Sequence, residues 1–208
     1  MTAMAIACRC RHWLWRLVCA LSGGLTVTGS LPARTRGCVV VANHSSHADT
    51  AALLAALPPT ARPVFAAAAD YWFDVPVRRL LVTYLAGALP VRRTTAGTYA
   101  ALLAAAQPAL AAGRAVVIYP EGTRRSDGTI GEFRCGALRL ARDCAVPVVP
   151  VALSGTGRVL PKHGRFHRAP MRVRVGESID PHTVTAAQLR AHVVALRQCR
   201  PQEGARIR

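Results

Sequence analysis

The run Val39-Val40-Val41-Ala42-Asn43-His44-Ser45-Ser46-His47-Ala48-Asp49-Thr50 decides the reading of the fold. It is an apolar strand that ends in a dense polar cluster and gives way to the helical stretch Ala51–Leu57. Polar side chains at the carboxyl end of a parallel strand face the crevice in which α/β proteins bind ligands. His44 and Asp49 lie across a strand-to-helix turn, a spacing that can bring the carboxylate back onto the imidazole. A carboxylate on one ring nitrogen fixes the tautomer and leaves the other nitrogen free to accept a proton. Ser45 or Ser46 can cap the new helix. Three arrangements suit these residues: a general-base pair of His44 and Asp49, a metal site from the H-x-x-H-x-D pattern of His44, His47 and Asp49, and a capping turn without chemistry. Of the other histidines, only His163 and His167 have ligand-like spacing, and they fall in a loop.

Outward from this run, short β-rich stretches alternate with Ala/Leu-rich helical ones. The strands expected are Leu25–Gly29, Cys38–Ala42, Pro63–Ala67, Ala88–Val91, Ala115–Tyr119, Val146–Leu153 and Met171–Gly176. The helices expected are Cys8–Leu21, His47–Ala56, Val77–Ala86, Gly97–Ala111, Gly136–Asp143 and Ala186–Cys199. This alternation predicts an α/β fold, a single domain with a mixed, mostly parallel twisted sheet flanked by helices. The domain spans 25–180; an N-terminal amphipathic helix occupies 1–24, and a C-terminal helix and tail occupy 181–208. Residues 155–170 read as a loop rich in Gly, Arg and His.

Composition bounds the function. The 208 residues are 51% hydrophobic and only 18% charged, which excludes a disordered chain. The net charge is +17, and Lys162 is the only lysine among 27 basic residues. Arginine is the side chain for bidentate contact with phosphate, so polyanions are the implied partners. Residues 1–37 carry five Arg and no acid, residues 38–91 are balanced, and most of the excess follows. A nucleic-acid-binding module fits the charge, but no such motif is present and aromatic residues are 5%, few for base-stacking platforms. Seven cysteines, an odd number without C-x-x-C, indicate neither a disulfide framework nor a zinc ribbon, and suit a reducing cytosolic setting.

At the N-terminus, Arg9, Arg11 and Arg16 are interleaved with Trp13, Leu14, Trp15, Leu17, Val18 and Leu21. The longest uncharged run, Leu17 to Ala33, is 17 residues and holds three Gly and a Pro. A membrane span needs about 20 apolar residues, so none is expected. The pattern suits an interfacial helix, with Trp and Leu at the headgroup boundary and Arg on lipid phosphates. An amphipathic helix packed on the domain and a cleaved signal peptide are the other readings.

A second apolar strand ends in a polar turn: Val116-Val117-Ile118-Tyr119-Pro120-Glu121-Gly122-Thr123-Arg124-Arg125-Ser126-Asp127-Gly128. Gly122 allows close backbone approach, Thr123 offers a hydroxyl and Arg124 a forked cation, which are the parts of a phosphate cradle. A solvated Arg-rich turn is the plain alternative.

Together the two clusters resemble the glycerolipid (lysophospholipid) acyltransferase family of the 1-acyl-sn-glycerol-3-phosphate acyltransferase type. The family's N-H-x-S-x-x-D is matched by Asn43, His44, Ser46 and Asp49. A glycine, apolar stretch and arginine are matched by Gly87-Ala88-Leu89-Pro90-Val91-Arg92-Arg93. The F-P-E-G-T-R-S motif is matched by Tyr119 to Arg124, with Tyr for Phe and an extra Arg125 before Ser126. Phe133-Arg134-Cys135-Gly136-Ala137 stands where the family has F-K-x-G-A, and Val146 to Val151 where it has an apolar V-P-V-x-P-V run. All occur in the family's order.

The resemblance implies a glycerol-3-phosphate acyltransferase-like fold and transfer of a fatty acyl group from acyl-CoA or acyl carrier protein to a lysophospholipid. It implies His44 as base and Asp49 as its orienting carboxylate. It implies Arg93, Glu121, Gly122, Thr123, Arg124 and Arg134 around the substrate, with Glu121 ordering its turn by pairing with an arginine. It implies no metal or other cofactor, an anionic membrane surface rather than nucleic acid as partner, and peripheral or monotopic placement on the cytoplasmic face. A metal-dependent hydrolase through His44, His47 and Asp49 is the rival chemistry.

Overall fold

The computed structural model describes residues 3–32, 37–68, 79–80, 82–91, 97–125, 127–161 and 164–199. Seven strands are described: β1 Leu25–Thr28, β2 Cys38–Ala42, β3 Val64–Ala68, β4 Ala88–Val91, β5 Ala115–Ile118, β6 Val148–Ser154 and β7 Met171–Val175. They form one sheet in the order β1-β7-β6-β2-β5-β3-β4. Every neighbouring pair is parallel except β6 with β7. The helices are α1 Ala3–Leu21, α2 Ala48–Ala56, α3 Thr98–Ala111, α4 Gly136–Asp143, α5 Thr156–Val159 and α6 Ala186–Gln198.

Strand β2 lies at the centre of the sheet and all five of its residues are buried. Val40 and Ala42 point into a core shared with Leu53 and Leu54 of α2 and Cys19 of α1. Val39 and Val41 point into a core shared with Leu110 of α3, Leu140 of α4 and Val193 of α6. Burial on both faces is why the strand reads as an unbroken apolar run rather than an alternating one. The 146–151 run leads into β6 between β7 and β2, and Val148, Val149 and Val151 are fully buried, as in a core strand.

Two expected elements differ. Within the stretch expected as a loop, Thr156–Val159 form the short α5. Gly155 turns the chain into it at φ +85°, and a Cβ there would stand 2.1 Å from the Pro170 carbonyl oxygen. Only glycine fits such a close approach in that conformation. Of the helix expected over 77–86, Arg79 and Leu80 are α-helical and Val82–Ala86 form a π-helical turn; residues 77, 78 and 81 lie outside the described residues.

Helix α1 both packs and keeps an apolar outer face. Cys8 and Cys19 are buried, Arg11 donates to the Pro63 carbonyl at 2.9 Å, and Trp15 Nε1 donates to the Leu85 carbonyl at 2.8 Å. On the opposite side Trp13, Leu14, Leu17 and Leu21 are exposed. Among the described residues no helix is long and apolar enough to cross a membrane. The seven cysteines are free thiols; Cys8, Cys19 and Cys38 are buried, while Cys10, Cys135 and Cys199 are exposed.

The register of β2 and β5 builds the site. Val41 lies opposite Ile118 on parallel strands, so both chains leave the sheet at the same edge. Three residues on from each stand His44 and Glu121.

Candidate active site

Asp49, in the first turn of α2, is wholly buried, and its Oδ2 gathers three donors. These are Nδ1–H of His44 at 2.9 Å, N–H of Ser45 at 2.7 Å and N–H of Ser46 at 2.8 Å. A carboxylate offers only acceptors, so the hydrogen of the imidazole sits on Nδ1 and Nε2 is left to accept. The His44 side chain is 17% exposed, enough to meet a ligand from the cleft. Neither serine caps α2 as expected, because the N-cap is His47; Ser46, one residue earlier, accepts from the Ala48 N–H at 3.0 Å through its Oγ and donates to the Leu160 carbonyl at 2.6 Å. Asn43 secures the end of the strand, donating to the Leu153 carbonyl at 3.1 Å and accepting from the Leu153 N–H at 2.8 Å.

The second turn is fastened to the first. Glu121 is buried; its Oε1 accepts from the His44 N–H at 2.7 Å and its Oε2 from the Gly131 N–H at 2.8 Å. Arg125 N–H donates to the His44 carbonyl at 3.0 Å. Glu121 orders its turn as expected, but the expectation that it does so by pairing with an arginine is corrected. A backbone N–H group bonds each of its oxygens, because the parallel register brings His44 beside it. Arg125 instead pairs with Asp127 at 2.7 Å.

Above this frame, Gly122 takes φ +73°, and a Cβ there would stand 3.1 Å from the guanidinium carbon of Arg134. The glycine lets that cation lie against the turn. Arg124, half-buried, is close enough to act on His47, whose ring is pushed down to about 4 by burial, then by the charges of Arg124 and His44, against the opposing pull of Asp49. His47 is thus neutral near pH 7, a hydrogen-bonding group rather than a third cation.

These groups contribute the polar lining of a cavity of about 730 Å³, with His44, His47, Gly122, Thr123, Arg124 and Arg134 on its wall. Its apolar lining comes from Trp15 of α1, Phe65 and Ala67 of β3, Val82 and Leu85 of the π-helical turn, and Leu102 of α3. Such a size and mixture suits a small amphiphilic ligand. Tyr119 forms part of the wall, with its ring parallel to that of His44 at 4.0 Å between centroids and 9° between planes.

Of the expected site residues, the structure gathers His44, Gly122, Thr123, Arg124 and Arg134 on one cavity, with Asp49 and Glu121 behind it. Arg93 lies outside the described residues. Among the described residues no group of three or more His, Cys, Asp or Glu side chains converges as a ligand set, and the geometry is that of a His–Asp pair. The sequence reading missed Tyr119, Thr50 and Trp15. Tyr119 alone carried a signal, as the polar aromatic that departs from the resembled motif.

The Acyltransferase family model matches residues 24–154. The chain is 34% identical over 160 residues to 1-acyl-sn-glycerol-3-phosphate acyltransferase beta of Homo sapiens, covering 76% of this chain and 56% of the relative. It is 31% identical over 152 residues to the chloroplastic 1-acyl-sn-glycerol-3-phosphate acyltransferase BAT2 of Brassica napus, covering 72% of this chain and 43% of the relative. The chain thus spans about half the length of the curated relatives it matches. The crystal structure of the 1-acyl-sn-glycerophosphate (LPA) acyltransferase PlsC from Thermotoga maritima superposes with a TM-score of 0.72 at 25% identity, covering 90% of this chain and 75% of that one.

Proposed function

The chain belongs to the acyltransferase family, and from that premise we propose that it transfers a fatty acyl group from acyl-CoA or acyl carrier protein to the free hydroxyl of 1-acyl-sn-glycerol-3-phosphate, giving phosphatidic acid. The observation that carries the reading is the His44–Asp49 pair, joined at 2.9 Å, with His44 on the wall of a cavity lined by both arginines and apolar side chains.

The chemistry follows from the tautomer. With Nδ1–H held by Asp49, Nε2 of His44 takes the proton of the acceptor hydroxyl as that oxygen attacks the thioester carbonyl. Asp49 stabilises the imidazolium so formed. The tetrahedral intermediate collapses, the C–S bond breaks, and the leaving thiolate takes the proton from Nε2. No enzyme nucleophile is needed, since the acceptor alcohol occupies the place of a hydrolase serine. The transfer is redox-neutral and uses a base and positioned charge, so the reading requires no metal or other cofactor. General-base help contributes about 10²–10⁴ in rate, and the remainder comes from positioning. Gly122, Thr123, Arg124 and Arg134 hold the acceptor's phosphate, joined by Arg93 from the neighbouring motif, and the acyl chain lies along Phe65, Val82 and Leu85.

The same reading places the protein on the cytoplasmic face of an anionic membrane. Trp13, Leu14, Leu17 and Leu21 offer an apolar stripe on α1, with arginines interleaved. Each Lys or Arg near such a surface contributes roughly 1 kcal/mol. Release from membranes by high salt and alkaline wash is the expected result, and retention in the pellet would contradict peripheral attachment.

The function is tested by an acyl-transfer assay against a panel of lysolipids with both donors, read by mass spectrometry. Phosphatidic acid from lysophosphatidic acid is the expected product. Acylation of another lysophospholipid, or of a lyso-aminolipid without phosphate, in preference to it would overturn the acceptor assignment.

A further inference from the structure

The bond from His44 Nδ1 to Asp49 fixes one direction of the imidazole and leaves its plane free to rock about that axis. A ring that rocks carries Nε2 away from the acceptor hydroxyl, and small misplacements of a base cost rate heavily. A second constraint has to act on the face of the ring. Tyr119 supplies it, lying parallel to the imidazole at 4.0 Å. Phe65 stands next to Tyr119 on the neighbouring strand, with centroids 6.5 Å apart and planes tilted by 34°. The Tyr119 hydroxyl lies 3.1 Å from Thr50 Oγ1. Thr50 directly follows Asp49, so the first turn of α2 anchors the imidazole twice: its edge through Asp49, and its face through Thr50 and Tyr119.

We infer that Tyr119 is a positioning residue for His44, a platform that sets the plane of the base and is itself held in place by Thr50. The inference rests on the reading of His44 as the general base. Phenylalanine, which the resembled motif carries here, offers the ring but no partner for Thr50, so the tie to α2 belongs to this chain's own sequence. The phenol stays neutral, because burial, and then the charge of Asp49, raise it well above its ordinary range. A neutral aromatic face also favours the imidazolium formed during the reaction, since a cation over a ring is attracted by its quadrupole.

The groups facing His44 are Asp49 and His47 from the α2 turn, and Tyr119, Glu121 and Arg124 from the turn after β5. Among the described residues it is Tyr119 that stacks on the face of the ring, so its loss has a distinct signature. In Tyr119→Leu, kcat falls about three- to thirtyfold, the range such ring contacts carry, while the acceptor KM stays within about twofold. Tyr119→Phe keeps the stack and loses less than Tyr119→Leu: Thr50→Val and Tyr119→Phe each lose about two- to fivefold in kcat and the double variant loses no more than either, as expected when one hydrogen bond is removed twice.

Unchanged kcat in Tyr119→Leu, or a loss confined to KM, would overturn the inference and leave Tyr119 a pocket wall. If the leucine variant does not fold, the Thr50→Val and Tyr119→Phe cycle decides: additive losses, or none, overturn it. Absence of His44-dependent transfer in the unsubstituted protein would instead overturn the functional reading, so the two failures are distinguishable.

Discussion

Replacing Asp49 by Asn separates the charge of this residue from its shape. All three strong bonds to the carboxylate converge on one oxygen, Oδ2. An Asn whose Oδ1 takes that place keeps every donor satisfied, and its amide nitrogen then faces Ser45 Oγ, which lies 3.5 Å from the present Oδ1. Bonds to a charged acceptor are worth about 1.5–3 kcal/mol against about 0.5–1.5 for neutral ones, so the folded state loses about 1–2 kcal/mol. Asp49→Ala leaves two buried N–H groups and the imidazole without partners and loses about 3–5 kcal/mol, a large part of the 5–15 kcal/mol that holds a typical domain together. In the reaction the missing charge matters more. A unit charge about 4 Å from the imidazolium, at an effective dielectric constant of about 20, is worth about 4 kcal/mol, which screening and relaxation cut to a kcat loss of about 10²–10³. The assay is kcat by mass spectrometry beside a urea midpoint for each variant. Asp49→Asn with unaltered kcat would refute the charge argument, and Asp49→Asn as unstable as Asp49→Ala would refute the claim that one oxygen does the structural work.

Glu121 gives the opposite result, because its two oxygens serve two separate N–H groups. Glu121→Gln must aim an amide N–H at one of them; it loses about 1–3 kcal/mol in a urea titration and, by releasing His44 or Gly131, lowers kcat as well. Arg124→Ala raises the acceptor KM about tenfold with the donor KM unchanged; a change confined to the donor would move Arg124 to the other substrate. His47 predicts a pH effect on folding. Its folded-state value of about 4 lies below the unfolded 6.5, so the unfolded chain binds the extra proton and stability falls as pH drops from about 6.5 towards 4. His47→Gln flattens that slope by about 1 kcal/mol, after allowance for solvent screening of a half-buried ring, as read from urea midpoints at pH 7 and pH 4.5.

The fold was legible because strands buried on both faces leave unbroken runs such as Val39 to Ala42, and polar turns follow them directly. The His44–Asp49 pair was legible for the same reason: the whole contact lies within one strand-to-helix turn. What remained hidden depends on strand order. Asn43 meets Leu153, 110 residues on, because β6 lies beside β2. His44 meets Glu121 and Tyr119 because β5 lies on the other side. No local periodicity reports that arrangement. Glu121 therefore read as an acid awaiting an arginine, when its nearest donors are backbone N–H groups brought in by the sheet. Trp15 stayed invisible as a cavity wall because only the docking of α1 turns it inward.

The central claim is that the His44 imidazole takes the proton from a lipid alcohol. In His44→Ala the buried Asp49 carboxylate keeps its two backbone N–H donors, so the protein still folds cooperatively in a urea titration, losing about 1–3 kcal/mol, while it loses the base. With lysophosphatidic acid and acyl-CoA or acyl carrier protein, the unsubstituted protein yields phosphatidic acid and the folded variant at least about 10²-fold less. Equal turnover by the two would contradict the account.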